Sequence, residues 1–151
     1  MARVVELMPA NVAVGVCLMA ATFANRGKSP DDFYVPGLDF FGVDGYNYWD
    51  TGEGKAWRTP AELFGPAFSW AARKGLRTLI CETGLQPTDG TAMAGRGQSW
   101  FTELRDYVLA NNGLGACYFN SGVESVETWV LNGEREAGFR EVLNSSVVAR
   151  I

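Results

Sequence analysis

Residues 76–84, LRTLICETG, constrain this chain more than any other stretch. A short run of branched aliphatics without polar alternation is the signature of a strand buried on both faces, as in parallel sheets. Here the run leads straight into Glu82 and then into a turn-forming Gly84. In parallel α/β folds the carboxyl end of a strand is where side chains reach ligands. Glu82 is therefore the first candidate functional residue, set against the plain alternative of a solvated glutamate that opens a loop.

Three further apolar runs, residues 12–20, 39–46 and 114–120, read as strands of the same kind. Helical patterns separate them. Thr59, Pro60 and Glu62 form a cap, an N1 proline and a capping-box acid. Leu63, Phe64, Phe68, Ala71 and Ala72 then mark an apolar side, and Gly75 closes the helix. Trp100, Phe101, Leu104, Tyr107 and Val108 give residues 99–112 the same periodicity, and a last helix covers about residues 134–143. Ser29-Pro30-Asp31-Asp32 has the cap, proline and acidic turn of a short helix, and residues 1–9 read as the end of another.

The strands start near residues 12, 39, 76 and 114, and the last two spacings are each the size of one βα unit. Strands and helices alternating in this way predict a single α/β domain over residues 1–151, with a parallel sheet and right-handed crossovers. Four such units are half of an eightfold barrel, which typically needs about 250 residues. An open four-stranded sheet is the alternative. Gly95-Arg96-Gly97 precedes a helix but does not follow a strand closely enough to be a phosphate loop.

Of the 151 residues, 47% are apolar and 20% charged, which is ordinary for a soluble globular domain. A net charge of -4 argues against nucleic acid or an anionic membrane as the main partner. The chain contains no histidine, so Ser-His-Asp and Cys-His catalysis and the usual zinc sites are excluded, leaving acid–base work to carboxylates, Tyr or Lys. Cys17, Cys81 and Cys117 are widely spaced inside apolar runs and read as small buried hydrophobes, with no disulfide frame. No run reaches the roughly 18 apolar residues of a membrane span. Residues 12–24 imitate the apolar core of a signal peptide, but Glu6 and Pro9 spoil its basic leader, and a strand explains the same residues.

Several strand ends carry polar and aromatic groups. The segment YVPGLDFFGVDGYN at residues 34–47 ends in Asp44, Tyr46 and Asn47; ICETG follows at 80–84, YFN at 118–120, and Trp129 in the next loop. In this order and spacing they resemble the second half of a retaining glycoside hydrolase with a (β/α)8 barrel. The family-26 β-mannanase-like enzymes, including actinobacterial and phage-borne ones, are the most similar group. The resemblance covers about residues 12–143. It implies that Glu82, at the end of strand seven, is the nucleophile and that the Tyr46 hydroxyl after strand six orients it. It implies that Trp129 stacks on a sugar ring, that Trp49 and Trp57 extend the cleft, and that Asn120 binds a sugar hydroxyl. Asp44 reads more as a hydrogen-bonding support of its strand end than as an acid. Arg96 reads as a solvated loop arginine and Trp100 as core.

The chemistry suits these residue types. A retaining enzyme needs two carboxyl groups about 5–5.5 Å apart, one to attack the anomeric carbon and one to protonate the leaving oxygen. Flat aromatic rings in loops suit sugar faces. The clan's acid/base glutamate stands at the end of strand four, ahead of the strands read here, and Glu6 is a poor substitute for it. The resemblance thus implies a β-linked mannan or glucan as substrate, no cofactor and no metal, and a secreted or virion-associated location. It also implies a partner chain, or a second copy, that covers the open edges of the half barrel. Two other readings stand beside it: a non-catalytic carbohydrate-binding or structural protein of a virion or surface assembly, and an unrelated small α/β domain.

Overall fold

The computed structural model describes residues 2–24, 27–49, 56–122 and 129–145. The elements are α1 (Ala2–Leu7), β1 (Gly15–Met19), α2 (Ala20–Phe23), a 3-10 turn (Pro30–Phe33), β2 (Phe40–Asn47), α3 (Pro60–Arg73), β3 (Arg77–Leu85), α4 (Arg96–Ala110), β4 (Gly115–Tyr118) and α5 (Gly133–Leu143). Residues 50–55 of the segment between β2 and α3 lie outside the described residues; Trp49 and Trp57, expected to extend a cleft, lie within them. No described helix is long and apolar enough to cross a membrane.

The four strands form one sheet in the order β1-β2-β3-β4, every neighbour parallel. That order has a geometric consequence. When each new parallel strand is added on the same side and each crossover is right-handed, the connecting helices all fall on one face. The packing agrees: Leu63, Phe64, Ala67 and Phe68 of α3 share a core with Val43, Ile80 and Leu85 and with Trp100, Phe101, Leu104 and Val108 of α4. A smaller cluster gathers Val16, Leu38, Phe41, Trp70 and Ala71 at the β1–β2 end. Each large side chain buried here contributes about 1.5–3 kcal/mol of transfer free energy.

No described helix packs on the opposite face. Cys17, Cys117 and Met19 are exposed there, Met19 at 54%. The strands are therefore covered by helices on one face only, with Trp129 and Tyr46 covering Gly84 on the other, and the full two-sided burial expected from their composition does not hold. The aliphatic content of β1–β4 is instead concentrated on the helix side, with Phe41 and Val43 in β2 and Thr78 and Ile80 in β3 all buried.

The local signals that set the helices are realised. Thr59 caps α3, its hydroxyl accepting from the Glu62 N–H while the Glu62 carboxylate accepts from the Thr59 N–H at 2.8 Å. Ser29 and Asp32 make the same reciprocal pair at the 3-10 turn. Gly75 takes the left-handed φ of +73° just past the end of α3. Several boundaries differ from expectation: α4 begins at Arg96 and ends at Ala110, and β4 stops at Tyr118. The first strand is shorter: it begins at Gly15, with residues 12–14 outside it, and Ala20 already starts α2. The third is longer and runs through Glu82 to Leu85, so Glu82 is a strand residue and not the start of a loop.

Candidate functional site

The open face is built by alternation along each strand. In β2, Phe41, Val43, Gly45 and Asn47 turn to the helices, which leaves Phe40, Gly42, Asp44 and Tyr46 on the open side. In β1, Val16 and Leu18 pack into the core and Cys17 and Met19 face outward. In β4, Tyr118 packs on Phe101 and Phe139 while Cys117 is exposed.

One irregularity breaks this pattern where it matters most. Val43 pairs with Ile80, but the next residue of β2, Asp44, pairs with Glu82. The β3–β4 pairing skips likewise, from Ile80–Ala116 to Thr83–Tyr118. Cys81 is thus one extra residue in β3 relative to both neighbours, a β-bulge. A bulge places consecutive side chains on the same side of a sheet. Here it turns both the Cys81 thiol and the Glu82 carboxylate to the open face, Cys81 against Gly42 and Glu82 opposite Asp44. The Thr83 hydroxyl, donating to the Gly45 carbonyl at 2.7 Å, fixes the strand just beyond the bulge.

The electrostatics follow from this crowding. Glu82 is half-buried, and burial, followed by the Asp44 charge beside it, pushes its carboxyl above the ordinary glutamate range. The Cys17 thiol donates to Asp44 Oδ1 at 3.0 Å. Burial first, then Asp44 and Cys81, pushes that thiol far above the usual cysteine range, and burial raises Cys81 as well. Cys17 is exposed as a residue, yet its sulfur lies against Asp44 and Cys81 on the open face, and their bulk covers it.

The remaining sequence candidates are placed as follows. Tyr46 lies opposite Gly84, its ring among Tyr48, Phe119 and Trp129, and no hydrogen bond joins its hydroxyl to Glu82 among the described residues. Trp129 is only 4% exposed, covered by Tyr46 at 4.8 Å and Tyr48 at 5.1 Å between ring centroids. Its indole closes over the bare backbone of Gly84 and leaves little face for a sugar in this arrangement. Asn120 accepts from the Leu131 N–H at 2.9 Å and so pins the loop after β4. Trp49 and Trp57 are half-buried against the helix-side core, Trp57 with the Arg96 guanidinium 5.6 Å above its ring. Trp100 is fully buried, as read from the sequence.

Asn47, though fully buried, is a clamp: its amide donates to the Arg58 carbonyl at 2.8 Å and accepts from the Arg58 N–H at 3.1 Å. It fastens the far end of the loop that carries Trp49 and Trp57. A separate hollow at the amino ends of the strands, lined by Phe68, Leu76, Arg77 and Asn112, has no carboxylate in its wall and lies at the opposite end from Glu82.

The reading of the cysteines as buried hydrophobes needs correction. All three stand on the uncovered face, and Cys17 and Cys81 meet there with Asp44, their ligand atoms within 4.8 Å of one another. The sequence carried a partial signal, because each cysteine sits midway along a strand of a parallel sheet. What it lacked was the bulge, without which Cys81 and Glu82 would face opposite ways. Neither protein-family models nor curated proteins yield a match to this sequence.

Proposed function

We propose that this chain is the nucleophile-bearing half of a retaining (β/α)8 glycoside hydrolase acting on a β-linked polysaccharide of the mannan or glucan class. One observation carries the reading: Glu82 stands at a bulge near the carboxyl end of the third of four sequential parallel strands, on the face no described helix covers. A barrel is this same sheet continued until it closes, with helices outside and catalytic carboxylates at the carboxyl ends. In this reading Glu82 attacks the anomeric carbon, and a glutamate on strands outside these residues protonates the leaving oxygen. Asp44 and Tyr46 flank the attacking carboxylate, and Trp49, Trp57, Trp129 and Asn120 belong to the loops around the cleft.

The reading calls for a partner. Four strands leave the outer edges of β1 and β4 unpaired within this sheet and one face open, a template for further strands. The missing strands, from a second chain or a second copy, cover that face.

The test does not depend on having the other half. A 2-fluoroglycoside with a good leaving group needs little protonation, so a competent nucleophile forms a trapped glycosyl ester without the acid. Intact-mass and peptide mapping should find one sugar on Glu82, and none on the Glu82→Gln chain. An unmodified wild-type chain, or a label elsewhere, overturns the nucleophile assignment. The non-catalytic alternative draws on the missing hydrogen bond between Tyr46 and Glu82. It is favoured if glycan binding, measured by calorimetry, is unchanged in Glu82→Gln while no ester forms.

A further inference from the structure

We propose that Cys17, Asp44 and Cys81 form a binding site for one thiophilic divalent cation of the Zn²⁺ type. Their ligand atoms all lie within 4.8 Å of one another, with Cys17 Sγ and Asp44 Oδ1 3.0 Å apart. Bond lengths of about 2.3 Å to sulfur and about 2.0 Å to oxygen separate the corners of a tetrahedral zinc site by roughly 3.5–3.8 Å. The observed span brackets that value, so small rotations of the three side chains bring them into coordination.

Gly42 is the second observation. It lies on β2 between the two cysteines, and a Cβ there would stand 2.5 Å from Cys81 Sγ and 3.0 Å from Cys17 Sγ. The bare glycine makes a cradle in which sulfurs from β1 and β3 meet across the strand between them. A disulfide does not explain the meeting. Strands about 4.8 Å apart put β1 and β3 roughly 9.6 Å from each other, beyond the roughly 7 Å between Cα atoms that a disulfide spans. A cation between the sulfurs does span it. Three protein ligands and one position open to the uncovered face match the pattern of a zinc ion that keeps an exchangeable site.

Binding displaces the two thiol protons to solvent. Two thiolates, one carboxylate and the dication then leave a single net negative charge at the site, and the ion ties β1, β2 and β3 together beside Glu82. The site shares Asp44 with the surroundings of Glu82, but its readout does not involve turnover and so does not depend on the glycosidase reading.

The test is a titration of the reduced chain with Co²⁺, followed by displacement with Zn²⁺. The expected result is one equivalent of Co²⁺ bound with sulfur-to-metal charge-transfer bands and the visible bands of tetrahedral cobalt, both abolished by Zn²⁺. Loss of an outer-sphere partner typically costs about 10–100-fold in metal affinity, so Cys17→Ser and Cys81→Ser should each cost more than about 100-fold. Asp44→Asn should weaken binding, and Cys117→Ser should leave it unchanged. Gly42→Ala keeps all three ligands and should nevertheless lose the charge-transfer bands. Absence of these bands in the wild-type chain, their survival in Cys17→Ser, or equal loss in Cys117→Ser overturns the proposal. Circular dichroism of the serine variants, each one atom different from wild type, separates lost ligation from lost fold.

Discussion

The two faces of the sheet solve different problems with the same four strands. On the helix side, Val43 and Ile80 interlock with α3 and α4 around a fully buried Trp100, and Phe41 packs on Trp70 and Ala71 of α3. On the open side, the positions between them hold Gly42, Asp44, Tyr46, Cys81 and Glu82. The first set is chosen for volume and the second for chemistry. A residue's worth to stability is therefore set by which way it points. Placed one strand position apart, Val43 fills the core and Asp44 receives a thiol hydrogen bond.

The largest effect that tests this division is on the helix side. Trp100 is 0% exposed and donates its indole N–H to the Arg58 carbonyl at 3.3 Å. Trp100→Ala should cost about 3–5 kcal/mol, a sizeable part of the 5–15 kcal/mol that holds a typical domain folded. Urea denaturation should show this as a large drop in midpoint, and a change under about 1 kcal/mol would mean that this face is not the core.

Next comes a contact between helices. A Cβ on Gly138 would stand 2.5 Å from the Gln98 carbonyl oxygen and 2.8 Å from its Cα. Both are backbone atoms and cannot rotate away, so Gly138→Ala should force α5 off α4 at a cost of about 1–3 kcal/mol. At the other end of the scale, Cys117 is exposed on the open face, and Cys117→Ser should change stability by no more than about 0.5 kcal/mol. A cost like that of the Gly138 variant would show that the open face is filled by something in solution, and sedimentation of the chain would then identify a copy of itself or a partner.

Local signals of this division are legible in the sequence. The caps at Ser29 and Thr59, the stop at Gly75, the helical stripe around Trp100 and the alternation of strands with helices all follow from interactions within a few residues or from one periodicity. The half-barrel expectation matches the sheet at the level of four parallel strands with helices between them. The bulge was not legible. An extra residue in a strand is defined only against its partners, and nothing in ICETG distinguishes a strand that ends at Cys81 from one that skips a pairing and continues to Leu85. The meeting of Cys17 with Cys81 depends on that bulge and on a bare Gly42 in between, so three distant positions had to be known together. The burial of Trp129 against Tyr46 and Tyr48 is a loop closing over a strand end, a long-range event that composition does not encode.

The smallest expected effect is one of sign, and it compares two glutamates. Glu62 caps α3, and its acceptance of the Thr59 backbone N–H, with help from the Thr59 hydroxyl, holds its carboxyl below the ordinary range. Its folded form releases the proton more readily than the unfolded chain does. The stability it contributes is present above the ordinary glutamate value and is lost as the pH falls through the lower folded value. Glu82 behaves in the opposite way. Burial and Asp44 raise its carboxyl, so in the window above the ordinary value the folded chain holds a proton that the unfolded chain has released. Stability then declines as the pH rises through that window, and above it the ionised Glu82 destabilises the fold. Glu82→Gln should therefore raise the melting temperature at pH 7 with a chelator present, and the gain should shrink as the pH is lowered into the carboxylate range. Glu62→Gln should lower the melting temperature at pH 7, and that loss should shrink over the acid range. A carboxylate raised in this way, as Glu82 is, is what a reactive site holds at the expense of stability, whereas the cap Glu62 only supports its helix. If both variants shifted the melting temperature in the same direction at pH 7, Glu82 would be one more supporting side chain, and the open face would lose its most specific claim to chemistry.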